Sequence, residues 1–522
     1  MRGSACVVLF VALASGDALA QQPEPAPPPS PPPSDPPTEP VVEPTPEPTP
    51  TPVAPDPKPP AVEPSKPNPD APVETPMTIT GPSDRGFRFG SYGRVIAGTD
   101  LRGGKPESAN VVAFGPRIVE PSYLELDFSY GFDTPRGYVL RPVITLAFDG
   151  TLFHETGEFD AQPALRNMYL DAQLTKRTTA WVGSRMYRGD DIYLFDYWPL
   201  DDQNTVGGGV MYRRSEAPSG GDTLEVAAHA GVNRLLNQFQ FQENDVPDPE
   251  QGAVTVVQLN RQRMVMSGSV AYILAGNNNT NLKAKLHSEF HALPSGTRKR
   301  VDGTFESLPA DSGYVLGAQL GAFGFASPSS KYRRHANVFL RYAKGLAAFD
   351  ELAPPTSFGS NLKTQRASEL SFGLSANWDT KFGYLQAGAL SRRFIDSDAA
   401  GADYDDAWEY AIAVRPLART PGIPELFLGG ELSYQARFPK GLNPTTQRAQ
   451  DPSVFQIAPM IVFSPMGPSG YDRPQLRLVY RAAFLNQAAQ DLFVPGDPRA
   501  KESVTHFLGF QAEWWFNSST YR

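Results

Sequence analysis

The sequence predicts an all-β protein, a closed antiparallel β-barrel that crosses a membrane, preceded by a proline-rich segment with no fold of its own. Three observations predict it. Apolar and polar residues alternate with a period of two in short segments through most of residues 84–516. The chain opens on a secretory signal. No later apolar run reaches the roughly 20 residues that a membrane-spanning helix needs. The mean hydropathy of -0.35 fits, because a barrel needs apolar residues only at alternate positions.

In chain order, residues 1–20 carry the signal. Arg2 is its positive end, Val7 to Ala14 its apolar core and Ala18-Leu-Ala20 its small-residue cleavage site. The single cysteine, Cys6, lies inside it, so the mature chain is expected to have no disulfide, thiolate metal site or cysteine nucleophile.

Residues 21–80 hold 25 of the 53 prolines, with nine acidic residues against two lysines. Proline fixes φ and donates no hydrogen bond, so this stretch is expected to be an extended, disordered linker in the periplasm. It reads either as a flexible spacer or as a tether touching the cell wall. It has almost nothing apolar to bury, so folding cannot offset its ordering entropy. A chain that keeps the signal but lacks 21–80 should still form heat-resistant oligomers on a gel. Failure to assemble would give the segment a structural task.

Residues 81–522 form the barrel domain, and their net charge is only -2, so the acidic balance of the whole chain belongs to the linker. In Tyr123–Tyr130 one face carries Leu124, Leu126, Phe128 and Tyr130, the other Tyr123, Glu125, Asp127 and Ser129. Leu224, Val226, Ala228, Ala230 and Val232 share a face, and Val338, Leu340 and Tyr342 stand opposite Asn337, Phe339 and Arg341. The last segment sets Leu508, Phe510, Ala512, Trp514 and Phe516 against Phe507, Gly509, Gln511, Glu513 and Trp515. Charged residues beside large aromatics on the polar face suit a wet lumen, and aromatic ends of the apolar face suit a membrane girdle. In a bilayer every strand edge must be paired, so such a sheet has to close.

Several segments resemble the maltoporin family of trimeric outer-membrane sugar porins. They are Gly90-Ser-Tyr-Gly-Arg94, Tyr123-Leu-Glu-Leu126, Pro163-Ala-Leu-Arg166, Trp181-Val-Gly-Ser-Arg-Met-Tyr187 and Asp191-Ile-Tyr-Leu-Phe-Asp196. Asn377-Trp-Asp379, Arg415-Pro416, Arg473-Pro-Gln-Leu-Arg477 and Gly509-Phe-Gln-Ala-Glu-Trp-Trp515 follow in the family's order, with a poorly matched centre around 230–330. The resemblance implies 18 strands, a homotrimer in the outer membrane of a Gram-negative bacterium, and diffusion of small neutral sugars or oligosaccharides. It also implies an aromatic slide of Tyr92, Tyr123, Phe159, Trp198 and Trp515, on which the apolar faces of sugar rings stack. Beside it, a polar track of Arg94, Arg117, Glu125, Arg166, Asp196 and Asp201 would replace the water lost by sugar hydroxyls. The block Arg185–Asp202 would be a loop folded into the lumen, with Trp198 narrowing it. Bottom-up parity agrees for Tyr92, Tyr123 and Trp515, which fall opposite the apolar face.

Other readings stay open: a general or other-solute porin, a barrel plug whose proline-rich segment is the working part, and a barrel hydrolase. There is no GxSxG, HExxH or phosphate loop, and the six histidines are scattered, so no enzyme is expected. No cofactor and no nucleic-acid partner are expected; Asp190-Asp191 and Asp405-Asp406 read as solvated loop charge or weak Ca²⁺ ligands.

Overall fold

The computed structural model describes residues 85–518 apart from 150–151, 154–156, 158–162, 216–220, 236, 238, 251, 277–279, 301, 326–331, 350, 352 and 399–403. The signal segment 1–20, the proline-rich segment 21–80 and Phe159 lie outside the described residues.

Among the described residues, twenty-two strands follow in chain order. The first seven are β1 (Gly86–Thr99), β2 (Tyr123–Asp133), β3 (Val139–Asp149), β4 (Pro163–Gln173), β5 (Thr178–Arg188), β6 (Asp202–Ser215) and β7 (Thr223–Asn233). A hairpin, β8 (Phe241–Asp248) and β9 (Gly252–Leu259), precedes β10 (Arg263–Ala275) and β11 (Asn281–Leu293). A second hairpin, β12 (Gly296–Lys299) and β13 (Phe305–Leu308), precedes β14 (Asp311–Phe323), β15 (Arg334–Gly345), β16 (Ser368–Thr380) and β17 (Gly383–Ile395). The chain ends with β18 (Ala407–Thr420), β19 (Ile423–Pro439), β20 (Ser453–Phe463), β21 (Gln475–Leu485) and β22 (Val504–Phe516).

Apart from the two hairpins, every strand pairs antiparallel with its neighbours in sequence, and β1 pairs with both β2 and β22. That last pairing closes an 18-stranded barrel, the number the resemblance implies. Its strands run from 11 residues in β2 to 17 in β19, long enough to cross a hydrocarbon core when tilted. Among the described residues no helix is long and apolar enough to cross a membrane.

The alternation in sequence becomes an inside and an outside. Val182 is 70% exposed, Leu286 68% and Phe510 67%, all outward. Glu125, Asp379 and Gln435, inward, are fully buried. Such a lumen is stable only if its charges are neutralised in place. Around the inner wall Arg341 pairs with Glu369, Arg392 lies 2.7 Å from Glu369 and 3.0 Å from Glu409, so cation and anion alternate from strand to strand.

The connections at one rim include two-residue turns, between β16 and β17 and between β18 and β19. Those at the other rim are long, and residues 189–201 and 100–122 among them turn inward. Residues 189–201, between β5 and β6, bury Ile192, Tyr193, Leu194, Phe195, Tyr197 and Leu200 against Phe339, Leu390, Ala411 and Ala413 of the inner wall. Glycines make the seat. A Cβ at Gly373 would come within 2.7 Å of Ile192 Cδ1, and one at Gly388 within 3.0 Å of Ile192 Cγ2. Residues 100–122, between β1 and β2, run along the wall, where Val111 N donates to Gln435 Oε1 at 2.9 Å and Arg117 N donates to the Leu194 carbonyl at 3.2 Å.

Candidate functional site: the lumen constriction

Barrel closure builds the core of the site. Because β1 lies between β2 and β22, Tyr92 is directly opposite Trp515 on one side and Glu125 on the other, and Arg94 is opposite Glu513 and Tyr123. Inward parity then brings the rings of Tyr92, Tyr123 and Trp515 together. Ring centroids of Tyr92 and Tyr123 are 5.9 Å apart, and Tyr92 stacks on Trp515 at 6.4 Å and 24°.

The row continues on residues outside the strands. Tyr193, in a single 3₁₀ turn at the tip of the inward loop, meets Trp515 edge-on at 6.3 Å. Tyr471, on the 464–474 connection from the opposite rim, meets Tyr193 at 5.4 Å. Tyr123, Tyr92, Trp515, Tyr193 and Tyr471 thus form one continuous line of rings. Guanidiniums flank it: Arg473 lies 3.9 Å over Trp515, and Arg94 and Arg166 each 5.6 Å over Tyr123.

Acids and bases around the row are paired. Arg117 Nε donates to Glu120 at 2.8 Å, and its Nη1 lies 3.5 Å from Asp196. Arg94 lies 3.5 Å from Glu120 and 3.7 Å from Asp196. Burial would raise the Asp196 carboxyl, but Arg117 and Arg94 hold it well below its usual range. Glu513 takes three partners at short range: Arg477 at 2.6 Å, Arg473 at 2.9 Å and the Tyr193 hydroxyl, which donates at 2.8 Å. A small cavity of about 30 Å³ opens among Arg94, Arg117, Glu120, Tyr193, Arg477 and Glu513, enough for a water or a hydroxyl.

Arg166 is bound to Glu125 and to the Tyr123 hydroxyl, which itself donates to Glu125 at 2.6 Å. Asp201 stands apart from Asp196. It binds Lys285 and lies 2.8 Å from His287 Nδ1, both on β11. Burial would raise it, and those two cations hold it low. The separation has a backbone cause: Asp196 is left-handed at φ 51°, and the Ile192–Tyr197 bridge reverses the chain there. Trp198 is 2% exposed with the Arg188 guanidinium 3.7 Å over its ring, and Tyr197 stacks on Phe114 at 4.0 Å.

Of the sequence-derived candidates, then, Tyr92, Tyr123, Trp515, Arg94, Arg117, Glu125, Arg166 and Asp196 gather on the β1–β2–β22 side of the lumen, while Asp201 and Trp198 belong to the loop's anchorage. Sequence reasoning missed Tyr193, Tyr471, Glu120, Arg473, Arg477 and Glu513. For Glu513 the signal existed, since parity puts it on the face of Trp515. Among the described residues no group of three or more His, Cys, Asp or Glu side chains is arranged to hold a metal ion. Asp190 and Asp406 are instead paired with Lys283 at 2.7 Å and Lys440 at 2.9 Å.

A closed barrel with a polar, charge-paired lumen narrowed by inward loops defines a transmembrane pore of the porin class. The LamB porin family matches residues 87–516, and the chain belongs to that family of outer-membrane porins. No curated protein matches the sequence. Among solved structures, the chain is similar to OccD3 (OpdP) of Pseudomonas aeruginosa, at 10% identity and a TM-score of 0.41, covering 87% of this chain and 96% of that one. It is also similar to the outer-membrane protein OpdK of P. aeruginosa, at 11% identity and 0.40, covering 82% and 98%. A third is Wzi, a carbohydrate-binding β-barrel involved in capsule assembly in Escherichia coli, at 9% and 0.37, covering 81% and 83%. At such values these likenesses carry nothing about the solute.

Proposed function

We propose that this porin is a facilitated-diffusion channel for small neutral sugars or oligosaccharides, working as a homotrimer with its proline-rich N-terminus in the periplasm. The observation that carries the reading is the unbroken line Tyr123–Tyr92–Trp515–Tyr193–Tyr471 beside neutralised charge pairs. A sugar ring has an apolar face that stacks on aromatics and an equator of hydroxyls that needs donors and acceptors. Both kinds of group stand within a few ångströms of each other along this line. Paired charges serve a neutral solute better than a single-sign field, which would concentrate ions of the opposite sign.

The test is block of ion current by linear oligosaccharides of graded length, together with liposome swelling. Trp515→Ala should weaken the block while leaving open conductance nearly unchanged, because a ring is lost from the line and Arg473 keeps its bond to Glu513. Sugar block of parental strength in that variant would count against the line as a sugar path. A channel that passes organic acids and neutral sugars alike would favour the general-porin reading.

A further inference from the structure

The constriction contains one carboxylate unlike the others. Six acids there have strong basic or hydroxyl partners. Asp190 has Lys283 and Gln319, Asp196 has Arg117 and Arg94, and Asp201 has Lys285 and His287. Glu120 has Arg117, Glu125 has Arg166 and Tyr123, and Glu513 has Arg473 and Arg477. Asp191 has neither an ion pair nor a side-chain hydrogen bond to another described residue, and the residue is partly exposed.

Its position is nevertheless fixed. The preceding residue, Asp190, is tied to the β11 wall through Lys283. The following residue, Ile192, is fully buried in the seat formed by Gly373 and Gly388, and its N–H donates to the Tyr197 carbonyl at 2.8 Å. The loop lies inside the barrel, so the solvent that Asp191 touches is the water of the lumen. Around it stand Asp190 and Asp196 from its own loop, Arg117 from the β1–β2 connection and the Tyr471 phenol from the 464–474 connection. Arg117 is already shared among Glu120, Asp196 and Glu513.

We propose that Asp191 is the charge-selecting residue of the constriction: its unpaired carboxylate faces the solute path, admits cations and neutral solutes, and turns back anions such as acidic sugars. Ion pairs that cancel within a few ångströms leave a weak field at the pore axis, whereas a lone charge in a narrow, low-dielectric passage leaves a strong one. Burial, reinforced by Asp196 and Asp190, pushes the Asp191 carboxyl up to about 7. The filter therefore operates above about pH 7, where the group is ionised, and fades below it, where the group is neutral.

The experiment is the reversal potential of the full-length protein in a planar bilayer under a KCl gradient, scanned from about pH 5.5 to about pH 8.5. The parent should grow more cation-selective as pH rises through about 7. Asp191→Asn should lose the pH-dependent part and hold the ratio of the parent's acid limb. Asp191→Glu, which keeps a carboxyl, should still titrate. A parent ratio that is flat over this range, an Asp191→Asn channel that titrates like the parent, or a flat Asp191→Glu channel would each overturn the assignment. Should Asp191→Asn fail to insert, the parent and Asp191→Glu profiles still decide. The inference rests on the lumen being the solute path and not on which sugar uses it, so a failure of sugar block leaves it standing.

Discussion

Excising residues 190–200 and joining Gly189 to Asp201 through a short turn should raise single-channel conductance several-fold and abolish any block by oligosaccharides. The cut is geometrically clean. The loop leaves and re-enters the wall at adjacent points: β5 and β6 stay in register up to Arg188 opposite Asp202, and Gly189 N donates to the Asp201 carbonyl at 3.0 Å. An Asn-Gly turn can close such a hairpin. The excision removes Tyr193 from the ring line and Asp191 and Asp196 from the constriction, so the narrowest part of the lumen goes with it. It also exposes Phe339 and Leu390 and strips Lys283 of Asp190, while Asp201 stays in place for Lys285 and His287. The barrel should survive these losses, because its 18 strands are held by ladders the loop does not enter. Single-channel recording decides the matter, and a conductance equal to the parent's would place the constriction elsewhere. Trp198→Ala is a different experiment. That ring is buried under Arg188, and its removal should act chiefly by loosening the loop, at a cost of about 3–5 kcal/mol typical of a buried aromatic.

The barrel was legible because a lumen and a lipid face impose opposite solubilities on alternate residues. Val338, Leu340, Phe339 and Asn337 fall on the sides that their parity demands, and so do Phe510 and Glu513. Tyr92, Tyr123 and Trp515 were legible for the same reason, each standing in a strand whose two faces differ. Strand count was not, since period two says nothing of how many strands close a ring; that came from resemblance. The hairpins β8–β9 and β12–β13 fall in the poorly matched centre and lie outside the barrel sheet, so no lipid face marks them. Tyr193 and Tyr471 escaped because neither stands in a strand, and outside strands the direction of a side chain depends on where the connection folds. The resemblance set Asp201 on one polar track with Asp196, but the left-handed turn at Asp196 sends the two to different walls.

Replacing Glu513 by Ala should destabilise the barrel more than any other single change in the constriction and reverse its charge preference. Glu513 is 4% exposed and holds together three parts of the site that come from different places. Arg473 reaches it from the 464–474 connection, Arg477 from the adjacent strand β21, and Tyr193 from the tip of the inward loop. Arg117 adds a fourth contact at 3.7 Å from the β1–β2 connection. Removing the acid leaves guanidiniums buried without a counter-charge, and breaking a buried ion pair from one side costs about 3–5 kcal/mol. Glu513→Gln keeps the shape and the Tyr193 hydrogen bond while deleting the charge, so it separates electrostatics from packing. Both variants should lower the temperature at which the folded band converts on a denaturing gel. Both should also shift the reversal potential toward anions, because the constriction gains one uncompensated positive charge. Glu513→Asp, which retains the charge on a shorter arm, should restore most of the selectivity even where it does not restore the stability. A Glu513→Gln channel with parental ion preference would mean that the arginines discharge their excess to solvent, and the eyelet would then be wider and wetter than this packing describes.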